Sequence, residues 1–485
     1  MLRAVSAEPA IMTPTGAVST DTGRPTALAG PLWLGAAAYA LLLIVGERLL
    51  NDPDTYWHIA TGRWIWAHRA VPAVDPFSHT LVGAPWHAHE WLAELAIAGA
   101  YGGLGWTGVV ALAALCVAAS LALLMRALER FARPTVALGA TALSFFLMAA
   151  HLTARPHALA LPILVAWAAA LVRARSESRT PSLRVLPLMV LWANLHGGFV
   201  VGLGLAGALA VEAVLTAENG DARRVAIVGW GRFVAGAALA SLLTPDGFAG
   251  WWFPFKLMSL GFALNFVGEW HAPALGLTEP LVLWLAALIG FALATGLRAP
   301  LFRALMVAGL VAMALSHTRN AELLAILAPL LLAPSIPIPL RPWGRRGIAM
   351  SGAVLALLIA ATAGAAVHGY AHENPDIAPA PALATAKQAG LTGPVFNDYD
   401  FGGYLIFEGV PVFVDGRIDL YGDDFMRAYA AALDNEDDAL PHLLERYQVT
   451  WTLLKPDEAA VAALDRDPAW ERVYADASAV VHRRR

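Results

Sequence analysis

Residues 95–125 read LAIAGAYGGLGWTGVVALAALCVAASLALLM, 31 consecutive positions without an acid, a lysine or an arginine. A bilayer crossing needs about 20 mostly apolar residues, so this stretch alone points to a membrane span. Further charge-free runs cover 25–46, 134–154, 156–172, 185–211, 281–297, 323–340 and 347–372; weaker ones lie at 225–245, interrupted by Arg232, and at 304–318, which is short. Of the 485 residues, 58% are apolar and 14% charged, where a soluble domain carries roughly a quarter charged. That composition excludes an ordinary soluble enzyme and indicates a polytopic α-helical membrane protein. The single cysteine, Cys116, falls inside the quoted run, which excludes a disulfide framework, a cysteine-based zinc site and a haem attachment motif.

The net charge of −4 is unevenly distributed. Residues 373–485 carry 20 acids and 10 bases, and the rest of the chain 17 acids and 23 bases. The tail therefore reads as a separate, acidic, water-facing unit. The first 24 residues are rich in Thr, Ala and Pro and lack a cleavage-type signal, predicting a disordered cytoplasmic leader over 1–24. A membrane domain over 25–370, with a first outside loop at 48–92, and an extracytoplasmic domain over 373–485 complete the expected division. Sidedness follows from the basic residues, which are retained in cytoplasmic loops. Arg3 and Arg24, with the groups at Arg126, Arg130 and Arg133, Arg173 to Arg184, Arg223 and Arg224, Arg298 and Arg303, and Arg341 to Arg346, give 16 on one side. Arg48, Arg63, Arg69, Arg155, Lys256 and Arg319 give 6 on the other. The N-terminus is thus expected in the cytoplasm and the acidic tail outside, as in a multi-pass protein of a bacterial inner membrane.

This sidedness requires two crossings between the inside groups at 173–184 and 217–224. Only 32 residues separate them, about 48 Å of helix against roughly 60 Å for two full crossings. The expectation is a pair of short or tilted spans broken at His196-Gly197-Gly198, giving eleven in all; a single span with a misread loop is the alternative. Irregular backbone at membrane depth is tolerated only when buried in protein or lining a wet cavity.

The unusual polar residues then fall on the outer side. The first outside loop opens Asn51-Asp52-Pro53-Asp54-Thr55-Tyr56-Trp57-His58 and closes Trp86-His87-Ala88-His89-Glu90-Trp91. Shorter outer segments carry Arg155-Pro156-His157, His196-Gly197-Gly198, Glu269 and Arg319-Asn320. Of Asp52 and Asp54, one carboxylate could take a proton from an acceptor hydroxyl and the other hold a divalent cation, Mg or Mn, with Asp54 the candidate ligand. Arg155 and Arg319 could bind a phosphate through paired N–H groups. His157 and His196 could donate to the same phosphate, and His58 and Glu269 complete the candidate substrate-binding set. Asp75, beside a proline in the same loop, reads as a solvated turn residue. The His87-Ala88-His89-Glu90 run lacks the His-Glu-x-x-His spacing that puts two imidazoles on one helical face and reads as structural.

From about residue 373 the pattern becomes that of a small α/β domain. Pro394 to Asn397, Val412 to Asp415 and Val449 to Leu454 read as short buried strands, the last preceded by an amphipathic helix over Leu440 to Tyr447. Glu471 to Val481 supplies one or two more. Helices between strands favour a parallel or mixed sheet, and Asp398, Asp400, Asp415, Asp419, Asp423 and Asp424 sit where turns favour aspartate.

The acidic pair Asp52 and Asp54, the Arg155-Pro156-His157 and His196-Gly197-Gly198 patches, Arg319-Asn320 and the tail run Phe396-Asn397-Asp398-Tyr399-Asp400 together resemble the GT-C superfamily of polytopic glycosyltransferases. Its members use polyprenyl-phosphate-linked sugars. The chain looks most like uncharacterised bacterial members whose tail contains a run similar to Val414-Asp415-Gly416-Arg417-Ile418-Asp419-Leu420-Tyr421-Gly422. The resemblance covers nearly all of the chain after residue 30. It implies transfer of a hexosyl or pentosyl group from a polyprenyl-phosphate lipid to a glycan, lipid or protein acceptor, with Asp52 or Asp54 as the acid or base. No nucleic-acid partner is expected. No second Asp-x-Asp occurs in a later outside loop, and no motif names the acceptor. Two readings from other classes compete: a secondary transporter, whose ionisable residues would sit near the midplane with internal repeats, and a non-catalytic envelope scaffold that displays the tail.

Overall fold

The computed structural model describes residues 29–336 and 348–485. The 1–24 leader and the arginines at Arg341, Arg345 and Arg346 lie outside the described residues. A helix lies at each of the eleven stretches read as spans: α1 (Ala29–Ile44), α4 (Trp91–Leu128), α5 (Pro134–Ala149), α6 (Pro156–Ser176), α7 (Leu186–Leu195), α8 (Phe199–Leu215), α9 (Gly220–Ser241), α11 (Pro280–Thr295), α12 (Leu301–Ser316), α13 (Ala321–Leu332) and α14 (Ile348–His368). Helix α4, with 38 residues, and α6, with 21, are long and apolar enough to cross a membrane, and several others are apolar helices of 10–17 residues. Prolines at the first turn open α5, α6 and α11, where a missing N–H costs nothing and the fixed φ suits a helix.

The 95–125 run is not one straight span. Within α4 the backbone leaves helical geometry at Leu104 and Gly105, where Gly105 takes φ +59°, a conformation that favours glycine. The first part of α4 packs closely on α3 (Asp54–His68), where a methyl at Gly62 would overlap Glu94 O, and the part after Gly105 supplies Val109 to Leu128 to the main apolar core. The expected break at His196-Gly197-Gly198 is present between α7 and α8. There His196 is extended, at φ −166° and ψ 143°, and its Nδ1 accepts the Gly198 N–H at 3.0 Å. On the far side of the bundle, Glu212 on α8 and Arg303 on α12 form a buried pair at 3.1 Å, and Arg303 NH1 also donates to Leu331 O.

In the tail, β1 (Val395–Asn397), β2 (Trp451–Leu454), β3 (Trp470–Ala475) and β4 (Val480–Arg484) make a mixed sheet of order β1-β2-β4-β3. Strands β1 and β2 are parallel, with Phe396 opposite Thr452, and the other two pairings are antiparallel. The segment Val412 to Asp415 is buried, as expected, but is not a strand of this sheet. A single side chain substitutes for ladder pairing: Asn397 Oδ1 accepts the Phe413 N–H at 2.8 Å and Asn397 Nδ2 donates to Val414 O at 2.9 Å. Its other edge meets the 48–92 segment, where His79 N–H donates to Val412 O and Val412 N–H to Phe77 O.

Residue 373 does not mark a gap in the packing. Trp57, Trp86 and Ala88 of the 48–92 segment share one core with Val395, Phe401, Leu405 and Trp451 of the tail. Asp75 is correspondingly not a solvated turn residue but 1% exposed. Its carboxylate accepts from the backbone N–H groups of Phe77 and Ser78 and from Arg417 NH1 at 2.7 Å. Arg417 also donates from Nε and NH2 to Asp415, each at 2.7 Å, and its guanidinium lies 4.6 Å from the Trp86 ring centre. Tyr421 Oη donates to Asp415 as well. Removing one member of a buried ion pair strands the remaining charge, typically at about 3 to 5 kcal/mol. Arg417→Met is therefore expected to lower the thermal unfolding midpoint in detergent or nanodiscs and to increase proteolysis of the tail. An unchanged midpoint would show that the tail is held by its apolar contacts alone.

Candidate functional site

The turn Asn51-Asp52-Pro53-Asp54 leads into α3. Asp52 Oδ1 accepts the Asp54 N–H at 2.9 Å, occupying a donor that a helix start leaves free. Asp54 lies in the first helical turn, where a negative charge is favoured, and its Oδ1 accepts from Trp57 Nε1 at 2.9 Å. Each aspartate thus uses one oxygen locally and turns the other outward. Both outward oxygens meet Arg155. Asp54 Oδ2 is 2.7 Å from Arg155 NH2, and Asp52 Oδ2 is 3.3 Å from NH1.

Arg155 is aimed there by the residue that follows it. A residue before proline is pushed out of the helical region, and Arg155 sits at φ −116° and ψ 168° as the cap of α6. The neighbouring Ala154 N–H donates to Leu49 O at 2.7 Å, which fixes this turn against the end of α2 (Gly46–Leu49). Arg155 NH1 also lies 3.5 Å from Glu269 Oε1, and the same oxygen is 3.7 Å from Arg319 NH1. Arg319 rests over the Trp270 ring at 4.5 Å. Arg155 and Arg319, expected as one phosphate site, are therefore joined through a single carboxylate oxygen. Their side chains remain 21% and 27% exposed, so the group is open to a ligand.

The expected imidazoles form the adjoining half of the site. Glu90 Oε1 lies 3.5 Å from His196 Nε2 and 3.6 Å from His89 Nε2, and Glu90 Oε2 lies 4.0 Å from His58 Nε2. The rings of His157 and His196 are 6.4 Å apart, and His157 Nε2 is 3.7 Å from Glu322 Oε1. All eight residues singled out in the sequence, Asp52, Asp54, His58, Arg155, His157, His196, Glu269 and Arg319, thus fall in one neighbourhood. Four others in it are Glu90, His89, Glu94 and Glu322. The spacing test on His87-Ala88-His89-Glu90 looked for a metal motif and passed over the run. Only His87 turns away, 2.7 Å from Asp246 Oδ1.

Burial pushes the Asp52 carboxyl up to about 7, with Arg155 pulling the other way, and it raises Asp54 by the same opposition. Burial likewise lifts Glu90 to about 8 and drives the His89 imidazole down to about 3. Glu269 shows the opposite balance: burial disfavours its charge, but Arg155 and Arg319 outweigh it and hold the carboxyl at about 2. Near neutrality the group contains one firmly ionised carboxylate, two guanidinium groups and a titratable aspartate.

No known protein family matches this sequence, and no curated protein is detectably similar to it. Solved structures are. ArnT from Cupriavidus metallidurans bound to undecaprenyl phosphate superposes with a TM-score of 0.51 at 15% identity, covering 94% of this chain and 98% of that one. Its apo state gives 0.52 at 15% identity, with 92% and 97% covered. The apo Archaeoglobus fulgidus oligosaccharyltransferase gives 0.51 at 12% identity over 88% of this chain and 69% of that one. The chain has the GT-C fold.

In this chain the tail forms part of the wall around the aspartates. A methyl group at Gly416 would overlap Asp54 Oδ1 and approach Trp57 Nε1, and one at Gly403 would overlap Pro53 O. The residues do not fit the divalent cation expected on Asp54. Among the described residues no three His, Cys, Asp or Glu side chains are grouped to hold a metal, and the outward oxygens of both aspartates are taken by Arg155. Gly416→Ala tests the wall. The added methyl has space only if Asp54 gives way, so Gly416→Ala should lower the thermal unfolding midpoint. An unchanged midpoint would show that the wall yields without cost.

Proposed function

We propose that the chain is an integral membrane glycosyltransferase, moving a hexosyl or pentosyl group from a polyprenyl-phosphate-linked donor to an envelope glycan, lipid or protein. The observation that carries this reading is Arg155, which bonds both Asp52 and Asp54 and shares Glu269 with Arg319. Likeness to an ArnT structure bound to undecaprenyl phosphate supports the donor class. The acceptor hydroxyl attacks the anomeric carbon as its proton passes to an aspartate. The bond from that carbon to the phosphate oxygen breaks, and the polyprenyl phosphate leaves. Arg155 and Arg319 meet the charge that develops on it, as fixed cationic donors do best. Asp52 fits the base better than Asp54. Its contact to Arg155 is longer, and a base works best when its pKa lies near the operating pH. A transporter is disfavoured, because the ionisable cluster lies at helix ends beside the tail.

The active face is the extracytoplasmic one in this reading, with the N-terminus inside. A reporter fused after Arg485 should lie outside the cytoplasm, and fusions near Arg130 and Arg179 inside; a cytoplasmic signal at Arg485 overturns the sidedness. Arg155→Ala and Arg319→Ala should each weaken undecaprenyl phosphate binding by about 1.5 to 3 kcal/mol, the range for a charge-assisted contact. Equal affinity in both variants would make them membrane anchors. In liposomes with a labelled polyprenyl-phosphate donor, Asp52→Asn should lower transfer by about 100- to 10,000-fold. Because the Asp52 carboxyl is raised to about 7, its basic form grows as pH rises, so wild-type transfer should climb through that pH. Loss confined to Asp54→Asn would reassign the base, and full turnover in both would remove the catalytic reading.

A further inference from the structure

Helix α10 (Phe248–Met258, FAGWWFPFKLM) joins α9 to α11 and carries no acid. Its eleven residues span about 16 Å, too short to cross a bilayer. Both its ends are tied to the tail-facing side of the molecule. Just before it, Asp246 is 2.7 Å from His87 of the first outside loop. Near its end, Lys256 Nζ donates to Asp419 O of the tail at 3.2 Å, and beyond it Gly261 and Ala263 donate backbone N–H groups to Asp423. The helix therefore runs along that face of the molecule rather than through the bundle.

Its inward side is packed: Gly250, Phe253 and Pro254 are buried, and the Phe253 ring stacks 3.6 Å from His89. Its other side is bare and apolar. Phe248 is 66% exposed, Trp252 54%, Phe255 42% and Met258 68%. Phe248, Trp252 and Phe255 stand at four- and three-residue steps and so share one helical face. Soluble surfaces rarely leave so continuous an aromatic patch uncovered. The end of the preceding helix α9 also leaves apolar side chains bare, with Leu239 and, just after the helix, Leu243 67% and 65% exposed. Trp and Phe are the residues that settle at a membrane interface.

We infer that α10 lies in the plane of the membrane surface, with Phe248, Trp252, Phe255 and Met258 immersed in lipid and Phe253 against the site. The bilayer then sets the level of His89 and Glu90 directly, through one helix thickness. The inference does not depend on the glycosyltransferase reading. The single native cysteine makes it measurable by spin labelling. In a Cys116→Ser chain in nanodiscs, nitroxides placed one at a time at 248, 252 and 255 are compared with labels at Ile289 on α11 and Asp424 in the tail, both exposed. Oxygen accessibility relative to that of a water-soluble nickel complex should be several-fold higher at all three α10 positions than at 424, and similar to 289. Ratios equal to that at 424 overturn the proposal. Should labelled variants fail to fold, the native chain in nanodiscs bearing a photoactivatable phospholipid gives a second reading. Lipid adducts on the 248–258 peptide support it, and their absence when α11 peptides are labelled refutes it.

Discussion

One guanidinium group organises the candidate site. Arg155 reaches Asp52 and Asp54 at the start of α3 and Glu269 in the segment before α11, so two acidic stretches distant in sequence converge on one planar donor carried by a third. A single positive charge cannot neutralise three partly buried carboxylates. The structure resolves the excess in two ways: Glu269 shares its negative charge with Arg319, and burial raises Asp52 toward neutrality. An incoming phosphate would compete with the carboxylates for the same N–H groups, which ties ligand binding to the protonation of the aspartates.

A second buried guanidinium, Arg417, does for the tail what Arg155 does for the site. It bridges Asp75 in the 48–92 segment and Asp415 in the tail. The two arginines act on adjacent ground, since Gly416, beside Arg417, abuts Asp54. The tail is thus held by charge at one point and packed without room for a methyl group at the next.

Much of this was legible in the sequence because membrane helices and their ends are written in composition. The eleven helical stretches follow from charge-free runs, and the break at His196 follows from counting residues against bilayer thickness. The eight candidate residues stand out in the sequence because ionisable groups at span ends are rare, and the structure brings them into one neighbourhood. The remainder depended on contacts between distant segments. Asp75 looks solvated beside its proline, and only the approach of Arg417 buries it. Val412 to Asp415 has strand composition, yet Asn397 pairs with it through its side chain, which no periodicity records. The kink at Gly105 lay inside an uninterrupted apolar run with no charge to mark it. Glu90 was set aside by a metal-motif test, although three imidazoles surround it.

The contact between Arg417 and Asp75 joins residues 342 positions apart. At about 5 to 20 residues per second, synthesis of the intervening chain takes roughly 17 to 70 s. For that interval the first helices and the acidic turn stand in the bilayer without the wall that Gly416 provides. Trp57 and Arg155, which bond Asp54 directly, are made early, whereas the close-packed wall at Gly416 can form only after residue 416 has been added.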